Sequence, residues 1–132
     1  MRKKILVTGA ILGCLAVILG AFGAHALKKI LTVDQIASFE TGVRYQMYHA
    51  LLLLFIGVTP YIPSKMQKLL FVFILWGTIL FSGSIYLLAT NNSTSFDFTT
   101  IGFITPIGGT LLIVAWILMI VSFFRLKSDK IT

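Results

Sequence analysis

Ile5-Leu6-Val7-Thr8-Gly9-Ala10-Ile11-Leu12-Gly13-Cys14-Leu15-Ala16-Val17-Ile18-Leu19-Gly20-Ala21-Phe22-Gly23-Ala24-His25-Ala26 runs about 22 residues without an acidic or basic side chain other than one histidine. A helix rises about 1.5 Å per residue, so this run covers about 33 Å, enough for a bilayer core about 30 Å thick. Arg2, Lys3 and Lys4 precede it, and Lys28 and Lys29 follow. A basic start before an apolar run is also the layout of a secretory signal, and Ala24-His25-Ala26 has a cleavage-site pattern. The run exceeds the roughly 7–15 residues of a signal's apolar region, which favours a retained span.

Working outward, the rest of the chain has the same character. Of 132 residues, 58% are hydrophobic and 11% charged, against about 25% charged in a soluble domain. Such a composition lacks the polar surface that water requires, so lipid must solvate much of it. The sequence predicts one membrane domain over 1–132 and no separate module. Thr32-Val33-Asp34-Gln35 has the form of a capping box, and Ile36, Phe39, Val43 and Met47 then recur at helical spacing. This predicts an amphipathic segment over 33–44 leading into helix 2, about 45–62. From Val33 to Pro60 a single helix is longer than a bilayer core, so its first turns are expected at the interface or bent at Gly42. Helix 3 is predicted at about 69–89, after a basic turn, and helix 4 at about 105–124, with Pro106 in its first turn. The polar stretch Asn91–Thr100 is read as a loop. The expected class is an all-α, four-transmembrane-helix bundle.

Charge gives the orientation. Arg2, Lys3, Lys4, Lys65, Lys68, Arg125, Lys127 and Lys130 fall on one side, and Lys28, Lys29 and Arg44 on the other. The positive-inside rule places the first side, with both termini, in the cytoplasm of a cell-membrane protein. The net charge of +7 is then topological, and no basic, aromatic-interleaved surface remains for nucleic acid. Membrane lipids are the expected partners, with self-association left open.

Gly9, Gly13, Ala16, Gly20 and Gly23 line one face of helix 1. Small stripes of this kind let helix backbones approach closely in lipid. Gly108 and Gly109 are read the same way in helix 4. The polar residues cluster toward the outer side: His25 at the end of helix 1; Glu40, Arg44, Tyr45, Tyr48 and His49 in helix 2; Ser84 and Tyr86 in helix 3; and Thr105 in helix 4. Polar groups in lipid are costly unless paired. The bland reading is a self-satisfied belt, with Glu40 paired to Arg44 at helical spacing and tyrosines at the headgroups. The sharper reading is a ligand site in a cavity between helices 1, 2 and 4, near His25, Arg44 and His49. A metal or haem held by His25 and His49 lacks a third ligand, and the single cysteine, Cys14, supplies no cluster. No cofactor is expected.

Four blocks carry a resemblance: Gly20-Ala21-Phe22-Gly23-Ala24-His25-Ala26-Leu27, Thr41-Gly42-Val43-Arg44-Tyr45-Gln46-Met47-Tyr48-His49-Ala50-Leu51, Ser82-Gly83-Ser84-Ile85-Tyr86-Leu87-Leu88-Ala89 and Ile104-Thr105-Pro106-Ile107-Gly108-Gly109. In order and over nearly the whole chain, they resemble a bacterial integral-membrane family of unknown function, domain of unknown function 423 (YwdK/YgdD-like). The resemblance implies a four-helix inner-membrane protein and no particular activity. Three functional classes follow from the residues. The first is a non-enzymatic protein binding a lipid or small amphiphile in its outer-leaflet half. The second is a small oligomeric transporter or channel. The third is a packing subunit of a larger complex. Helices 1, 3 and 4 carry no deep carboxylate of the kind proton-coupled export needs. There is also no nucleophile–base pair or carboxylate pair for an enzyme.

Overall fold

The computed structural model describes residues 1–91 and 98–130. Four helices follow one another: α1 (Arg2–His25), α2 (Val33–Val58), α3 (Ser64–Ala89) and α4 (Ile104–Phe124). Short 3-10 turns lie at Leu27–Lys29, Phe98–Ile101 and Ser128–Lys130, and no strand occurs among the described residues. Most of the loop read at Asn91–Thr100, including Asp97, lies outside the described residues.

The contacts give an up-down-up-down bundle. Gly57, Gly9, Gly20 and Gly23 match Leu6, Ala50, Val43 and Phe39 across the α1–α2 seam. The two helices are therefore antiparallel along the length of α1. α3 runs back along α2, with Ser82 beside Gly42 and Gln67 beside Ile56. α4 then returns along α3, where Gly108 meets Leu80 and Phe81. One apolar core fills the end holding the termini, around Ile5, Leu53, Ile56, Leu70, Ile74 and Met119. A smaller one, around Leu27, Leu31, Phe39 and Ala89, closes the other end.

The start of α2 is set by its first four residues. Thr32 accepts from the Gln35 N–H at 3.2 Å, and Gln35 Oε1 accepts from the Thr32 N–H at 2.9 Å. The capping box thus satisfies two of the first-turn donors. Beyond it α2 is a single helix of 26 residues, about 39 Å long. It runs through Gly42 without interruption. That glycine is buried where Tyr86 and Ile85 of α3 come close, so its missing side chain admits a neighbour. α2 ends at Val58, earlier than about 62, because Thr59 precedes Pro60 and takes an extended backbone. α3 begins at Ser64, directly after Pro63. The Ser64–Lys68 stretch is therefore its first turn and not a connecting loop. α1, α3 and α4 are long and apolar enough to cross a membrane. α2 has the length, but its first half carries Asp34, Glu40 and Arg44, and Gln46 and His49 follow in the second.

Gln67 explains the early start of α3. Its side chain is 1% exposed, and its Nε2 donates to the carbonyls of Ile56 at 3.0 Å and Thr59 at 3.4 Å. The Arg2 guanidinium donates to the same Thr59 oxygen at 3.3 Å. Carbonyls at a helix C-terminus have no partners within the helix, so α3 and α1 supply them. Gln67→Leu keeps the bulk and removes the donors. It should lower stability by about 1–3 kcal/mol, read as the midpoint of an SDS titration from a mild detergent. A wild-type midpoint would mean that water or Arg2 alone satisfies this end.

Candidate functional site

α2 is the polar spine of the bundle. Its buried stripe runs Phe39, Gly42, Gln46, His49, Ala50, Leu53 and Ile56, one residue off the stripe expected from Ile36, Phe39, Val43 and Met47. Two polar side chains therefore face inward. On one side the Gln46 Nε2 donates to the Leu12 carbonyl of α1 at 2.8 Å, and Tyr86 of α3 donates its hydroxyl to Gln46 Oε1 at 2.6 Å. One turn away, the Ser82 hydroxyl donates to the Gly42 carbonyl at 2.7 Å. On the other side the Trp116 indole of α4 donates to His49 Nε2 at 3.1 Å. Nε2 must then be an acceptor, which puts the proton on Nδ1, 2.7 Å from the Tyr45 carbonyl. Both nitrogens of a neutral imidazole are thereby satisfied. The Tyr45 ring packs on Phe81 of α3, centroids 5.0 Å apart, and beside Tyr48 at 5.7 Å.

The expected site residues fall into separate groups. Tyr45 and His49 face α3 and α4. Tyr86 joins Gln46 on the α1 side. Ser84 donates to the Phe81 carbonyl and shares a hydrogen bond with the Thr105 hydroxyl, which ties α3 to α4. His25, Glu40 and Arg44 are exposed and are not gathered with these. Arg44 turns to Thr41, at 3.2 Å, and forms no ion pair with Glu40. At i, i+3 the hydroxyl is the nearer acceptor. The two histidines are not level either. His49 lies beside Ala50, opposite Gly13 of α1, and His25 is twelve residues further along α1, about 18 Å along the axis. They share no ligand set.

The helix-packing glycines separate in the same way. A Cβ at Gly9 would come within 3.0 Å of the Ala50 carbonyl, and one at Gly23 within 3.0 Å of the Phe39 ring. At Gly13, Gly20 and Gly109 the nearest atoms are 3.7, 3.4 and 3.5 Å away. Ala16 is buried. At Gly108 the Cβ would fall 2.3 Å from the Phe81 nitrogen.

The cavities do not follow the expected His25–Arg44–His49 triangle. One of about 310 Å³ lies between α1 and α3. Leu12, Leu15, Ile18 and Leu19 form one wall, and Gln46, Thr78, Ser82 and Tyr86 line its polar side. A second, about 440 Å³ and apolar, continues it over α3, sharing Ile79, Gly83 and Tyr86. A third, about 490 Å³, opens at the α2 N-terminus between Asp34, Gln35, Ser38 and Thr105. Two features of the first cavity lie outside the sequence expectations. Thr78 is 2% exposed, and its hydroxyl has no hydrogen-bond partner. At Gly83, on the shared floor, an added Cβ would have nothing within 4 Å.

The chain matches the family model described as "Protein of unknown function (DUF423)" over residues 19–109. The chain belongs to the DUF423 family. It is 38% identical to a UPF0382 membrane protein of Haemophilus influenzae over 97% of this chain and 99% of that one. It is 36% identical to the UPF0382 inner membrane protein YgdD of Escherichia coli K12, over 98% and 96% of the two chains. A Staphylococcus saprophyticus UPF0382 membrane protein is 37% identical over 94% and 99%. No solved structure matches the chain. The DUF423 match covers the strings holding Gln46, His49, Thr78 and Tyr86. The DUF423 chain is thus a membrane protein of an uncharacterised family.

Gln46 is absent from the expected site although the sequence carries a signal for it. It lies four residues after Gly42 and three before His49, so any helix burying those two also buries Gln46. Trp116 has no such signal, since its role depends on which helix α4 faces.

Proposed function

We propose that this DUF423 protein is a non-enzymatic cell-membrane protein that holds a lipid chain or small amphiphile in the groove between α1 and α3. The observation that carries the reading is the Thr78 hydroxyl, buried in that groove without a partner. An unpaired buried hydroxyl is costly in an apolar surround; this oxygen is closed off from the groove, so a ligand oxygen removes the cost once the Thr78 side chain turns toward it. The rim residues Leu15, Ile18 and Ile79 face outward, so a chain enters sideways from lipid. Gly83 keeps the floor open without any packing need to be glycine. Tyr86 and Ser84, at the outer end, are the members of the expected site set that line this path. The reading includes α2 as a fourth span, since it lies along the whole of α1. It also includes cytoplasmic termini, from the distribution of basic residues.

The test uses the purified protein in phosphatidylcholine vesicles with a long-chain fatty acid bearing a diazirine. Photolabelling should concentrate on Leu15, Ile18 and Ile79. Gly83→Leu fills the floor and should cut labelling there at least several-fold while leaving the melting temperature unchanged. Thr78→Val removes the hydroxyl at similar volume and should weaken labelling with no loss of stability, since no protein partner is lost. Labelling spread evenly onto Ile113, Ile117 and Ile120, on the outward face of α4, would reduce the groove to ordinary lipid contact.

A further inference from the structure

At the opposite end of the bundle from the outer polar cluster, a cavity of about 280 Å³ is enclosed by the α2–α3 turn and the last turns of α4. Tyr61 and Met66 form one wall, Val121 and Ser122 the other, and Arg125 and Lys127 stand at the mouth. We propose that this cavity binds the headgroup of an anionic phospholipid, with Arg125 and Lys127 holding the phosphate and the first acyl carbons against Met66 and Val121.

Three observations carry this. First, charge: no carboxylate lines the cavity, and neither cation forms an ion pair among the described residues. Lys65 and Lys68 lie on the first turn of α3 at the same end. Asp129, in the 3-10 turn after Lys127, is the acidic residue closest in sequence and is not part of the lining. Second, the surface is amphipathic in the order a lipid needs. Cations sit at the mouth and apolar side chains within, and the lining includes Tyr61, a residue type that favours the headgroup region. Third, the Ser122 hydroxyl already donates to the Leu118 carbonyl at 2.9 Å, so its oxygen remains an acceptor facing the cavity. That suits a glycerol hydroxyl as well as the phosphate suits the cations. Arginine binds phosphate with two parallel donors, which fixes orientation as well as adding attraction. Basic pockets between helix ends are the expected place for such headgroups.

The test is native mass spectrometry of the full chain, released from neutral detergent after incubation with phosphatidylglycerol or phosphatidylcholine. Wild type should retain phosphatidylglycerol over phosphatidylcholine. Arg125→Gln with Lys127→Gln should weaken retention by roughly thirtyfold, the effect of two cations near a headgroup. Lys28→Gln with Lys29→Gln removes the same charge at the other end and should leave retention unchanged. Val121→Trp keeps both cations and fills the cavity, and it should also lose the lipid. Equal loss in the two double variants would reduce the effect to net charge and overturn the site. Undiminished binding to Val121→Trp would overturn it too. Release of the lipid by millimolar inorganic phosphate would assign the cations to a free anion and overturn the lipid reading. The groove between α1 and α3 takes no part in these outcomes.

Discussion

Gly108→Ala should break the α3–α4 pair. A methyl group there would lie 2.3 Å from the Phe81 nitrogen and 2.8 Å from the Leu80 carbonyl carbon. Both are backbone atoms inside a helix, so neither gives way by rotating a side chain. The helices must separate, and separation loses the Ser84–Thr105 hydrogen bond and the packing of Leu112 over Gly77. Overpacking a core usually costs about 1–3 kcal/mol, and a clash on main chain lies at or beyond the top of that range. The Trp116–His49 hydrogen bond should go with it, because α4 carries Trp116.

The measurement is thermal unfolding in detergent beside three controls. Gly83→Ala adds a methyl where nothing lies within 4 Å and should be neutral or slightly stabilising, since alanine favours helix over glycine. Gly109→Ala meets Phe81 at an ordinary 3.5 Å and should change little. Gly77→Ala meets Leu112 side-chain atoms at 2.7 Å, which can turn away, and the Gly108 carbonyl oxygen at 3.2 Å, which cannot, and should fall between. A Gly108→Ala protein melting with Gly109→Ala would mean that α3 and α4 are not this close in the membrane.

Gly108 and Gly109 are adjacent and look alike as letters, and only the rotation of α4 decides which one meets the α3 backbone and which the Phe81 ring. The same limit applies to Gly42, whose contact with Tyr86 depends on how α3 faces α2. Length, charge-free runs and the capping box at Thr32 are local properties, so α1, α4 and the start of α2 are legible. Pro60 and Pro63 mark the α2–α3 turn, but the inward turn of Gln67 depends on unpaired carbonyls across the bundle. The candidate site is the least legible part. Sequence groups polar residues by depth, and depth does not say which face of a helix they occupy. His49 and Tyr86 are both deep and lie on opposite sides of α2. His25, Glu40 and Arg44 are near the end and stay outside. Thr78 gives no signal, because a lone threonine in an apolar run usually bonds its own helix.

Removing the Gln46 side chain should produce the second-largest loss, and its size depends on coupling rather than on bond number. Gln46 is 5% exposed and joins three helices, accepting from Tyr86 and donating to the Leu12 carbonyl. Leu12 lies mid-helix, where its carbonyl already has an intrahelical partner, so losing Gln46 does not orphan it. Tyr86 differs: in Gln46→Leu its hydroxyl loses its acceptor. Interhelical hydrogen bonds in membranes are worth about 0.6 kcal/mol on average and up to about 1.7. Gln46→Leu should therefore cost about 1–3 kcal/mol. Tyr86→Phe keeps the ring against Phe39, centroids 5.0 Å apart, but strands the Gln46 carbonyl oxygen, and should cost about as much as one such bond. In the double variant neither group is left unpaired, so the combined loss should be smaller than the sum by about 1 kcal/mol. SDS titration of the four proteins measures it. Additive losses would mean that lipid or water, and not Gln46, satisfies the Tyr86 hydroxyl. Gly42→Ala gives an independent check, because its methyl would lie 2.7 Å from the Tyr86 ring. By displacing that ring it should weaken the same bond, and its effect should shrink once Tyr86→Phe has already removed the hydroxyl.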